Sequence, residues 1–127
     1  MEKIIIDNQR EDLPKITLDK EASVFEICGK SFPENAVEFY SPIIKWIKEY
    51  AQSPNPQTIF TISLDYFNSS SSKKIFEILM ELEHITTIGG NIIVRWYYDE
   101  NDDVMFTRSK DIQAVLNIPM EFIKKNP

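Results

Sequence analysis

Residues 58–79, TIFTISLDYFNSSSSKKIFEIL, hold the transition that decides the fold. The first ten alternate, with Phe60, Ile62, Leu64 and Tyr66 on one side and Thr61, Ser63 and Asp65 on the other, which is the period of a half-buried strand. Four serines in a row, residues 69–72, interrupt that pattern. Beyond them Ile75, Ile78, Leu79, Leu82 and Ile85 recur at helical spacing, and Gly89-Gly90 closes the connection that follows. Asn68 or Ser69 suits the helix N-cap, because a short side-chain oxygen there accepts one of the free amides of the first turn. NIIVRWYYD, residues 91–99, is the next strand, with Ile92, Val94, Trp96 and Tyr98 on one face.

The same reading extends outward. Residues 3 to 6 and 14 to 19 are short strands, and KITLDKEASVFEICGK forms a hairpin about Asp19-Lys20-Glu21 whose second arm breaks at Gly29-Lys30. A helix is predicted from Pro33 or Glu34 to Ala51, with Ala36, Tyr40, Ile43, Ile47 and Tyr50 as its apolar stripe. Pro42 inside it predicts a kink, or a restart capped by Ser41. SPNPQ then forces a loop. On the C-terminal side, a polar segment ENDDVMFTRSK leads to a short helix over Asp111 to Leu116 and a last strand in IPMEFIKK. The order predicts an α/β fold: one domain, residues 1–127, with helices packed on a mixed β-sheet.

Composition narrows the function. With 127 residues, 43% of them apolar, the chain can fill one core. Fourteen basic against 20 acidic residues give a net charge of -6, which repels nucleic acid and anionic membrane surfaces, so neither is an expected partner. Cys28 is the sole cysteine, and no apolar run reaches the length of a membrane span or signal peptide. The cytoplasm is the expected location.

The inventory for catalysis is thin. Metal-hydrolase and nucleotide-cradling motifs are missing, and the one histidine, His84, falls at the C-terminal end of a helix, where an imidazole faces the negative pole. No catalytic residue, metal or cofactor is assigned, and the expectation is a protein that is not an enzyme. Asp99, Glu100, Asp102 and Asp103 form an acidic cluster, read as a solvated turn or a protein-contact loop because its spacing departs from a calcium loop. Trp96, Tyr97 and Tyr98 read as strand aromatics, since no basic surround would make them a base-stacking platform. Pro33 and Glu34 suit a helix's first turn, and Asn35 a tie to a neighbouring loop. A hydroxyl at the start of the second helix is exposed and preoriented. Phosphate there would meet the helix's positive pole, with Lys73 and Lys74 one turn on.

Three stretches taken together, GKSFPENAVEFYSPIIKWIKEY, LDYFNSSSSKKIFEIL and VRWYYDENDD, resemble the SiaC family of bacterial regulatory phosphoproteins. The motifs of that family are G-x-S-[YF]-P-E-N, Y-[FL]-N-T-S-S and W-x-Y-D, and the likeness runs from about Ile4 to Ile123. The resemblance implies an architecture like that of anti-sigma factor antagonists, the STAS-like fold. It also implies a switch: a partner kinase of the histidine-kinase-like ATPase type phosphorylates the hydroxyl after the motif's asparagine, a PP2C-type phosphatase removes the phosphate, and the unmodified protein activates a diguanylate cyclase. That hydroxyl falls on Ser69 in place of the family's more usual threonine, with Ser70 as second choice. TRSKDI stands where similar proteins often carry a glycine-acidic pair. The expected partner surface comprises Phe32, Pro33, Glu34, Asn35, Phe67, Asn68, Ser70 and Ser71, with Asp102 and Asp103 supplying charge. The alternatives are a small enzyme or non-catalytic ligand-binding protein using the aromatic and acidic residues around Trp96 to Asp103, or an anti-sigma factor antagonist acting on a kinase-type anti-sigma factor.

Overall fold

The computed structural model describes residues 1–7 and 9–125. Its elements are β1 (Ile4–Ile6), β2 (Lys15–Asp19), β3 (Val24–Ser31), α1 (Ala36–Gln52), β4 (Gln57–Phe67), α2 (Ser69–Thr87), β5 (Asn91–Asp99), α3 (Asp103–Ala114) and β6 (Met120–Lys125). The six strands form one sheet in sequence order, β1-β2-β3-β4-β5-β6. β1, β2 and β3 pair antiparallel, and β3 to β6 run parallel, each step crossing through a helix. This is the mixed α/β sheet that the sequence predicts.

Burial shows that the helices cover one face only. Phe25, Ile27, Phe60, Ile62, Leu64, Val94 and Trp96 point into the core, where α1 and α2 add Tyr40, Ile43, Ile47, Tyr50, Ile75, Ile78, Leu79, Leu82 and Ile85. The alternate residues Val24 and Glu26 are exposed, and Thr61 and Arg95 half-buried. Successive right-handed crossovers stepping in one direction put every helix on the same side. The carboxyl ends of β3, β4 and β5 are therefore neighbours, each feeding a helix.

Five expectations are corrected. Helix α1 starts at Ala36, after Asn35 as N-cap, rather than at Pro33 or Glu34. It does not restart at Ser41 but runs on through Pro42, because Tyr40, Ile43, Trp46 and Ile47 are buried on both sides of it and their packing outweighs one lost backbone bond. Strand β3 continues past Gly29-Lys30 to Ser31. The pairing with β4 passes from Gly29↔Leu64 to Lys30↔Tyr66, leaving Asp65 as an extra residue, and Gly29 takes φ +97°, a value that glycine tolerates. That bulge slips the alternation of β4 by one: Tyr66 turns outward, 47% exposed, and Phe67 turns into the core at 0%. Helix α3 begins at Asp103, not at Asp111. Its buried face is Met105, Ser109 and Ile112, and the serine in the middle conceals the apolar period.

Candidate regulatory site

Parallel pairing of β3 with β4 sets Ser31 beside Phe67, and the Asn68 amide donates to the Ser31 carbonyl at 3.1 Å. The segments SFPEN and YFNSSSS, 36 positions apart between Phe32 and Asn68, thus meet at the carboxyl edge of the sheet. Asn68 is the N-cap of α2, its Oδ1 accepting from the Ser71 amide at 2.9 Å. This fixes the first turn and sorts the serines. Ser69 and Ser70 are exposed, Ser72 is half-buried, and Ser71 is fully buried.

The Ser71 hydroxyl belongs to a chain of three. Ser31 Oγ donates to Ser71 Oγ at 2.8 Å, which leaves the Ser31 oxygen to accept from the Tyr40 hydroxyl at 2.6 Å. All three side chains are buried, so each bond replaces a lost contact with water. Burial pushes the Tyr40 phenol up to about 12, with the two serine hydrogen bonds pulling the other way. The chain ties the end of β3, the second turn of α1 and the first turn of α2 into one block.

Around that block the other expected residues take different places. Pro33 is buried, Glu34 and Asn35 are exposed, and Phe32 is half-buried. Asn35 Oδ1 accepts from the Glu38 amide at 3.0 Å, so it caps its own helix. Phe67 and Ser71, expected on the partner surface, are removed from it by the β4 bulge and by the hydroxyl chain respectively. Asp102 is the N-cap of α3, accepting from the Met105 amide at 2.9 Å, and Asp103 is exposed in the first turn. Trp96 is fully buried, which takes it out of any ligand-stacking role.

Two residues enter that sequence reasoning missed. Tyr66 packs edge-on against Phe32 at 5.8 Å, making an aromatic pair at the surface beside Asn68. Only the bulge reveals it. Arg108 of α3 donates Nη1 to the Phe67 carbonyl at 2.6 Å, with its guanidinium 3.9 Å from the Phe67 ring centroid. No local signal marks a contact spanning 41 positions.

The family profile described as SiaC family regulatory phosphoprotein matches residues 7–125. An uncharacterized protein of Pseudomonas aeruginosa (strain UCBPP-PA14) is 26% identical over 106 residues, covering 84% of each chain. Among solved structures, SiaC of Pseudomonas aeruginosa superposes with a TM-score of 0.87 at 24% identity, over 98% of this chain and all (100%) of that one. A second, the diguanylate cyclase SiaD in complex with its activator SiaC from the same organism, matches with a TM-score of 0.86 at 23% identity, over 98% and 100%. At these identities the structural likeness establishes the fold.

Proposed function

The chain belongs to the SiaC family of regulatory phosphoproteins, and on that premise we propose that it is a cytoplasmic adaptor switched by reversible phosphorylation of Ser69. One observation narrows the choice to two residues, since Ser69 and Ser70 stand exposed at the start of α2 whereas Ser71 is locked in the core, and the motif's hydroxyl directly after its asparagine selects Ser69. A kinase of the histidine-kinase-like ATPase type transfers the γ-phosphoryl group of ATP to Ser69 Oγ. The hydroxyl proton passes to the enzyme's base and ADP leaves. A PP2C-type phosphatase returns the hydroxyl by hydrolysis, releasing inorganic phosphate.

In the unmodified state the adaptor binds and activates a diguanylate cyclase, the kind of enzyme with which the solved relative forms its complex. The surface offered to it is Ser69 and Ser70, the Phe32–Tyr66 pair and exposed Glu34. Aromatic anchors around a small polar centre suit a regulated interface. A dianion of roughly -1.5 to -2 charge desolvated there costs several kcal/mol, far more than its effect on the helix. Asp103, exposed at the start of α3, contributes to association rate through charge rather than to the lifetime of the complex.

Intact-mass measurement of the protein from its native host, before and after phosphatase treatment, followed by peptide fragmentation, tests the reading. A phosphatase-sensitive phosphate on Ser69 is expected. Its confinement to Ser72 or to a threonine elsewhere removes the assignment.

A further inference from the structure

We propose that Arg108 is the residue that reads a phosphate on Ser69, joining α3 to the first turn of α2 when the switch is modified. The inference rests on the Ser69 reading above and deepens it. Arg108 is held by its single hydrogen bond among the described residues, to a carbonyl only two positions before Ser69. Two residues of chain span at most about 7 Å, within the combined reach of a phosphoseryl group and a guanidinium. The buried ring of Phe67 supports the guanidinium as a flat floor, fixing the direction of its fork.

Charge is free to respond there. No carboxylate lies within ion-pair distance of Arg108 among the described residues, whereas Lys74 is paired with Glu77 at 3.0 Å and Lys30 with Glu11 at 3.4 Å. Arg108 thus spends one neutral hydrogen bond and keeps donors for a dianion, which it binds in a bidentate fork where lysine acts as a point charge. The open space is present too. Arg108, Ser72 and Lys73 line one cleft of about 650 Å³ between α2 and α3, together with the carboxylates Glu77, which is paired with Lys74, and Asp111. Ser69 lies three positions before Ser72, on the same helix face. A phosphate held by Arg108, with exposed Lys73 as the secondary cation, therefore closes that end of the cleft.

The test separates this inference from its premise by installing phosphoserine at position 69 during translation, so that the phosphate is present whatever any kinase does. Its second ionisation is followed by 31P NMR. In the parent it should lie below the ordinary value of about 6. Arg108→Gln should return it towards that value, Arg108→Lys should give an intermediate result, and Lys73→Gln should change it less than Arg108→Gln does. Equal titrations in the parent and Arg108→Gln overturn the inference. Should Arg108→Gln fail to fold, the parent still decides: the Arg108 side-chain 15N resonances must move with the phosphate titration, and stationary resonances overturn the inference. An Arg108-dependent titration in a chain whose Ser69 no kinase modifies supports the contact and removes the switch. Kinase modification of Ser69 with an Arg108-independent titration does the reverse.

Discussion

The first turns of α2 and α3 share one capping hydrogen bond and differ in what lies beneath it. In each, the N-cap side chain accepts from the amide three residues on at 2.9 Å, Asn68 from Ser71 and Asp102 from Met105. Below the α2 cap that third residue is a serine, and its hydroxyl continues into a buried chain through Ser31 to Tyr40. Below the α3 cap it is a methionine that plugs the core. The charges differ as well: α3 carries Asp103 in its first turn and α1 carries Glu38, while α2 carries no acid there. A cap alone, then, ends a helix. A cap joined to a polar network and left without its own negative charge can hold two exposed hydroxyls rigidly and tolerate a phosphate on one of them.

The largest test of that contrast lies under the caps. Phe67→Ala should cost about 3 to 5 kcal/mol, because a fully buried ring that also supports Arg108 leaves a cavity. Met105→Ala beneath α3 should fall nearer about 2 kcal/mol, since a smaller, unbranched side chain that keeps 4% exposure leaves a smaller cavity than a fully buried ring. Urea denaturation measures both, and equal losses would show the two footings to be equivalent. Next in size is an alkaline transition confined to the α2 footing. Tyr40 ionises at about 12 when folded and at about 10 when unfolded, so the folded state holds its proton longer. Its contribution is complete below about pH 10 and is lost as pH rises towards about 12, at about 1.4 kcal/mol per pH unit. Tyr40→Phe should flatten that part of the stability profile, and an unchanged alkaline slope would place the titrating group elsewhere.

Smaller effects concern the caps themselves. Asn68→Ala and Asp102→Ala should each cost about 0.5 to 2 kcal/mol. The former should cost more, because displacing Ser71 disturbs the hydroxyl chain; the reverse order in thermal melts would break the comparison. Smallest in stability is Ser69→Asp, expected to gain about 0.3 to 1 kcal/mol from a helix start that has no acid, while Val104→Asp beside Asp103 gains less. The same Ser69→Asp chain should nonetheless fail to pull down a diguanylate cyclase, the partner proposed above. Retained binding would show that charge at this position does not control the interface.

How much of this was legible in one dimension follows from where the information resides. The strand of residues 58–67, the helix period from Ile75 to Ile85 and the strand of residues 91–99 are local patterns, and their periodicity is enough to mark them as α/β elements. Asn68 as a cap is local too, since it needs only the amide three residues on. The helix start at Asp103 was hidden because its buried face includes Ser109, which period counting treats as polar. Tyr66 and Phe67 exchanged sides because one extra residue, Asp65, in the pairing with β3 shifts the phase of a period-two pattern, and pairing is a property of two strands. Likewise Ser71 is distinguished from its three neighbours only by a hydroxyl 40 positions away, and Arg108 from other basic residues only by a carbonyl 41 positions away. The sequence by itself determined which elements form and which residues carry the family's motifs. Tertiary structure decided which hydroxyl faces solvent and which cation stands next to it, because both depend on contacts that chain topology, not local propensity, brings together.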